Sequence, residues 1–203
     1  MRQLKVLFRT VQGLENLASQ EILEKLDIIK LFSSPYGFSG WLKCEMENNS
    51  LKDVRKLRSI VNAYLLLLEE KYYEAFSIDQ FADKVVREIP LYVSHARRIS
   101  VSAYSTHKKI SQKEIQGAFA KRISKELKAE CNLKNYDTAL RITLLRKVAL
   151  ATINLEIKPA NIPVKLETHP TPLLPPIAYC MVRLASPNND EHLLDPMCGC
   201  GPI

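Results

Sequence analysis

The chain has 203 residues, 46% hydrophobic and 25% charged, with a formal net charge of +7. No apolar run is long enough to span a bilayer, and Met1-Arg2-Gln3-Leu4-Lys5 lacks the apolar stretch and cleavage site of a secretory signal, so the expected setting is cytoplasmic. The cysteines (Cys44, Cys131, Cys180, Cys198, Cys200) are odd in number, widely spread and form no C-x-x-C pair, which argues against a zinc centre and against a disulfide framework.

Residues 4–10 alternate as a strand that Gly13 ends. Leu14, Leu17, Ala18, Ile22 and Leu26 recur at helical spacing and predict a helix over 14–26. A second strand is expected over 28–33, with Ser34-Pro35-Tyr36-Gly37 as the turn into a third over 38–46. Asn48-Asn49-Ser50 is a helix-entry signal for 51–58. The leucines of 65–68 fit helix or strand, but β-branched Ile60 and Val61 favour a strand over 60–70. The resulting β-α-β-β-α-β order is that of a ferredoxin-like module.

A second unit follows. Ser77 caps a helix through 88, with Ile78, Phe81, Val85 and Ile89 on one face, and Pro90 interrupts it. Residues 98–104 alternate as a strand. Ser111 with Glu114 three residues later is a capping box for a helix over 113–130. Its Ile115, Ala118, Phe119, Ile123 and Leu127 face inward, while Lys113, Lys121, Lys125 and Lys128 lie on other faces. Residues 139–145 and 148–157 form a hairpin around Arg146-Lys147. Nine of the eleven prolines lie from Pro159 onward, so the stretch after Lys158 reads as a stiff, extended connector. A helix over 175–185 and a polar loop then lead to Leu193-Leu194, read as a short terminal strand.

Residues 87–150 hold fourteen lysines and arginines against five acids, a net +9, which leaves −2 for the rest of the chain. Such concentration is the footprint of a nucleic-acid partner, although a solvated lysine-rich surface gives the same count. The candidate phosphate contacts are Lys108, Lys109 and Lys113 at the entrance of the capped helix, with Arg97, Arg98, Lys121, Arg146 and Lys147 as further candidates. Tyr36 and Trp41 are candidates for stacking on a base or for the core, and His169 is a positioned loop residue without a partner nucleophile.

The chain's last residues form a glycine-punctuated turn. Gly199 and Gly201 have no Cβ and let the backbone approach a ligand closely, and Pro202 suits a first helical position. In open α/β sheets such a turn beyond a strand's carboxyl end is where a cofactor sits. Asp195-Pro196-Met197-Cys198-Gly199-x-Gly201-x-Ile203 resembles the first motif of the S-adenosylmethionine-dependent RNA methyltransferases that carry a THUMP domain. Cys200 and Pro202 stand where that family has Ser or Thr and Thr. Thr10-x-x-Gly13-Leu14-Glu15-x-Leu17-x-x-x-Glu21-Ile22 resembles the opening of the same family, and His169-Pro170-x-x-Leu173-x-Pro175-x-Ile177-Ala178 its segment before the catalytic fold.

The resemblance implies an α+β chain: a ferredoxin-like domain over 1–74, a THUMP RNA-binding domain over 75–157, a linker over 158–174 and the truncated start of a Rossmann-like methyltransferase domain over 175–203. It implies methyl transfer to guanine N2 of tRNA or rRNA, docking through the THUMP domain, and S-adenosylmethionine held by Asp195, Pro196, Cys198, Gly199 and Gly201. The family's Asn/Asp-Pro-Pro-aromatic motif is not in the sequence, so no catalytic residue is assigned and these 203 residues are expected to be inactive alone. A non-catalytic THUMP adaptor is the alternative; a THUMP enzyme that thiolates or deaminates RNA is a third, opposed by the Asp195–Gly201 motif.

Overall fold

Apolar side chains at every second position of Gln3–Thr10 build β1, with Leu4, Val6 and Phe8 buried on one side. The computed structural model describes residues 3–72, 76–93, 97–107, 109–156, 173–188 and 190–196. Expectations for Lys108, most of the linker, His169, Cys198, Gly199 and Gly201 lie outside the described residues. None of the helices described is long and apolar enough to cross a membrane.

The chain divides into two compact units, residues 1–63 with 156–203, and residues 64–155. The division falls within one strand, whereas the expected boundary at 74/75 follows that strand's end.

In the first unit β1 pairs antiparallel with β3 (Trp41–Glu47), setting Leu4 opposite Met46, Val6 opposite Cys44 and Phe8 opposite Leu42. α1 (Glu15–Lys25) buries Ala18 and Ile22 and packs against β3 and β2 (Ile28–Ser33). With the first residues of β4 (Ile60–Lys71), the strand order is β2-β3-β1-β4. The helix expected over 51–58 forms as a 3₁₀ segment, Asn48–Lys56, whose end closes through the Leu57 N–H on the Val54 carbonyl three residues back. α4 (Pro175–Ala185) belongs to this unit. It buries Ala178 and Cys180, and Arg183 donates to both carboxylate oxygens of Glu24 at 2.6 and 2.7 Å.

The second unit contains the rest of β4, α2 (Ile78–Glu88), β5 (Arg98–Ser105), α3 (Gln112–Arg122), β6 (Glu130–Cys131), β7 (Thr138–Leu144) and β8 (Val148–Asn154). Its strands run in the order β4-β8-β7-β5-β6. β5 and β7 are parallel and therefore need a crossover, which α3 supplies. Phe81 and Val85 of α2 and Ile115 and Phe119 of α3 are fully buried, as are Ile99, Leu140 and Ile142 of the strands. The Phe81 and Phe119 rings meet edge-on at 6.3 Å.

Two expectations are corrected. The helix read over 113–130 ends earlier: α3 gives way to a π turn over Ile123–Leu127, and Lys128 adopts a left-handed conformation at φ 52°. The chain then leaves as β6, where the Glu130 N–H bonds the Arg97 carbonyl and Glu130 pairs with Arg98, so strand pairing wins over helical spacing. The terminal strand read at Leu193-Leu194 does not form among the described residues, and Leu194 is 84% exposed. Two leucines without a neighbouring strand have no ladder to join.

Candidate nucleic-acid interface and cofactor segment

The basic candidates sort by which end of β5 they occupy. Exposed Lys109 and Lys113 lie beyond the carboxyl end of β5, before and within the first turn of α3. Ser105 is paired with Leu144, and the Thr106 N–H bonds the Leu144 carbonyl at 2.8 Å, so the β7–β8 turn with exposed Arg146 and Lys147 lies at the same end. Tyr72 ties the two loops. Its N–H bonds the Lys147 carbonyl at 3.0 Å, its hydroxyl donates to the Leu145 carbonyl, and its ring lies 5.9 Å from that of His107.

The loop itself is pinned from within. The Ser105 hydroxyl donates to the Ile110 carbonyl at 2.9 Å, and His107 Nδ1 accepts the Lys109 N–H at 3.2 Å. Ser111 Oγ accepts the Glu114 N–H while the Glu114 carboxylate accepts the Ser111 N–H at 2.7 Å, the capping box expected from the sequence. These bonds to Ser111 hold the Glu114 carboxyl below its ordinary pKa.

Arg97 and Arg98 sit at the opposite end of β5, about 25 Å away for eight residues of strand. Lys121, in the last turn of α3, lies toward that end. Arg98 is engaged: its guanidinium and its N–H, with the Arg97 N–H, all donate to Asp137 at 3.0–3.1 Å. The Arg98 side chain and these amides hold the Asp137 carboxyl below its ordinary range. The structure thus joins Lys109, Lys113, Arg146 and Lys147, and separates Arg97, Arg98 and Lys121 from them. Tyr104, missed in the sequence reading, is an exposed aromatic near the first group, and only the strand register reveals it.

Of the cofactor candidates, Asp195 is half-buried and Pro196 exposed, and Leu193 and Leu194 before them are exposed. Neither Asp195 nor Pro196 belongs to a described strand or helix. Among the described residues no group of His, Cys, Asp and Glu is placed to hold a metal ion. Cys44 is buried, and burial pushes its thiol up to about 12, the reverse of what a ligand or nucleophile needs.

Residues 164–203 match the RMKL-like methyltransferase domain family, starting within the proline-rich stretch. The whole fold is similar to a predicted N6-adenine-specific DNA methylase from Listeria monocytogenes, at 18% identity and a TM-score of 0.74, over 100% of this chain and 53% of that one. It is similar to SMU.472, a putative methyltransferase complexed with SAH, at 17% identity and a TM-score of 0.72, over 100% and 54% of the two chains. A 4-thiouridine synthetase in complex with RNA and ATP matches at 16% identity and a TM-score of 0.52, over 75% of this chain and 41% of that one. At these identities the likeness is one of fold. The chain spans about half the length of the two methyltransferase-like structures. No curated protein matches its sequence.

Proposed function

We propose that this chain is the RNA-recognition part of an S-adenosylmethionine-dependent RNA methyltransferase. The observation that carries the proposal is the clustering of Lys109, Lys113, Arg146 and Lys147 at one strand end, in a chain whose last forty residues match a methyltransferase domain. The family match and the SAH-bound structural relative support S-adenosylmethionine as the cofactor, with Asp195, Pro196, Cys198, Gly199 and Gly201 as this chain's contribution to its site. The likeness to an RNA-bound synthetase of different chemistry supports recognition, rather than catalysis, as the task of the shared part.

The domain assignment belongs to the same proposal: a ferredoxin-like domain over 1–74, favoured by the strand order β2-β3-β1-β4, and a THUMP domain over 75–157, favoured by the order α2-β5-α3-β7-β8. The linker over 158–174 and the methyltransferase start over 175–203 complete it. Guanine N2 of tRNA or rRNA as the target rests on the motif resemblance at Asp195–Ile203.

The test is the salt dependence of RNA binding. Each neutralised phosphate releases counterions and adds nearly one unit to the slope of log K against log salt. Replacing Lys109, Lys113, Arg146 and Lys147 together by alanine is expected to weaken tRNA binding and lower the slope by up to about four units. Replacing Arg97, Arg98 and Lys121 is expected to change it by less than one unit, because that end is separate and Arg98 is engaged by Asp137. Equal losses from both sets would mean a diffuse basic surface, and absence of RNA binding would overturn the proposal.

A further inference from the structure

Two helices far apart in sequence meet in the first unit. α1 lies near the start of the chain, the second unit intervenes, and α4 returns to the first unit after the proline-rich stretch. Arg183 and Glu24 are 159 positions apart, so their contact closes a long loop and must offset its closure entropy. Exposed ion pairs contribute little, but a guanidinium fork on both oxygens of one carboxylate is the strong form of such a pair. Only 22% of the Arg183 side chain is exposed, and its hydrogen bond holds the Glu24 carboxyl below its ordinary pKa.

Lys25 extends the contact. Its Nζ donates to Glu21 at 2.6 Å and to the Lys56 carbonyl at 3.2 Å, and lies 5.2 Å from the centroid of the Tyr179 ring. One ammonium thus engages α1, the end of the 3₁₀ segment and α4. The Tyr179 hydroxyl accepts from Arg183 at 3.2 Å, which joins the ring and the two cations in one run of contacts. Burial, and after it the charge of Glu21, raise the pKa of the Cys180 thiol, so Cys180 too lies toward α1. α4 falls within the residues that match the methyltransferase domain family, and it ends ten residues before Asp195.

We infer that Glu24 and Lys25 of α1, with Tyr179 and Arg183 of α4, are positioning residues: they clamp the first helix of the methyltransferase segment onto α1, so that the segment leading to Asp195 starts from a fixed seat on the first unit and does not trail from the proline-rich stretch. The inference rests on the methyltransferase reading above for what is positioned, while the clamp itself is a property of α1 and α4. A proline-rich stretch sets a distance but leaves its far end free to swing. Methyl transfer needs the cofactor methyl and the target nitrogen in line, and small misplacements cost much of the rate. A helix held by a carboxylate, an ammonium and a ring from known positions supplies the fixed direction that a spacer cannot.

The 203-residue chain holds both helices, and amide hydrogen exchange reads them separately. Glu24→Arg and Arg183→Glu are each expected to speed exchange over residues 177–185 about tenfold and to leave β5 and β7 unchanged. The double variant, with the two charges exchanged, is expected to recover most of the protection, whereas two independent structural faults would add. Should a charge reversal speed exchange over β1 and β3 as well, the milder Glu24→Gln and Arg183→Lys take its place, each expected to give about threefold faster exchange confined to 177–185. Wild-type exchange over 177–185 in the single variants, or no recovery in the double one, would overturn the clamp and leave the proposed function in place. Faster exchange throughout residues 3–63 in the milder variants would also overturn it, since the fault would then lie in the core of the unit. A wild-type chain that binds no RNA would overturn the proposed function and leave the clamp standing.

Discussion

Glu21 is a carboxylate with no exposed surface, on the buried side of α1. It accepts hydrogen bonds from the N–H groups of Arg58 and Ser59, from the Ser59 hydroxyl and, at 2.6 Å, from Lys25 Nζ, while Thr10 Oγ1 donates to the Ser59 carbonyl at 2.8 Å. Together these bonds fix the turn that starts β4. Burial alone raises its pKa, but Lys25, Ser59 and the two backbone donors outweigh it and hold the carboxyl below 4.5. A depressed folded-state pKa contributes stability that is complete above 4.5 and is lost as the pH falls through the lowered value. Glu21→Ala is expected to cost about 3 kcal/mol in urea unfolding, because it strands four buried or half-buried donors. It is also expected to flatten the acid limb of the stability curve, and an unaltered acid limb would refute the assignment. Glu15 acts similarly, accepting the N–H groups of Gly13 and Gly40. Gly40 has φ 77°, and a Cβ there would meet the Thr10 carbonyl at 3.0 Å, so Gly40→Ala is expected to cost about 1–2 kcal/mol. The opening motif was legible in the sequence as residue types, but its purpose was not. Glu15 and Glu21 find partners 25 and 38 residues away, and side-chain to backbone bonds of that span leave no periodic trace.

At the scale of elements, starts were more legible than ends. The beginning of α3 is announced locally by Ser111 and Glu114, whose side chains satisfy N–H groups within one turn. Its end is decided by β5, a distant strand that recruits Glu130 and Cys131, so helical spacing alone carried the helix too far. The same contrast holds at 51–58, where helix-entry residues were visible but the 3₁₀ geometry was not. Ser111→Ala should therefore lower stability by about 1 kcal/mol, seen as a lower unfolding midpoint. RNA affinity should fall only modestly, since Lys113 stands in the first turn but the loop before it stays pinned by Ser105 and His107. A loss of RNA binding as large as that of the four-residue basic variant would show that the frayed turn, rather than the charges, had governed it. The charge count of 87–150 was likewise legible as a sum and not as a site. Only the parallel pairing of β5 with β7 reveals that Arg146 and Lys147 join Lys109, whereas Arg97, adjacent to the same strand in sequence, faces the other way along it.

For the whole molecule, the alternation of strands and helices placed nearly every described element, while the cofactor segment was legible only as a motif. A glycine turn becomes a binding site when a strand and a following helix hold its N–H groups in fixed directions. Here the described part of that segment leaves Leu193 and Leu194 exposed and Asp195 half-buried, outside any described strand, while Lys109, Lys113, Arg146 and Lys147 all belong to the second unit, residues 64–155. RNA binding by the 203 residues is therefore expected to be independent of S-adenosylmethionine. Calorimetry should show no micromolar affinity for the cofactor, and adding it should leave the RNA dissociation constant unchanged, since a ligand that does not bind cannot couple. Cofactor binding in the micromolar range would show that the turn is already organised within these residues. A shift in RNA affinity on adding cofactor would further show that the segment at Asp195 and the basic end at Lys109 are linked, because coupling between two sites must act in both directions.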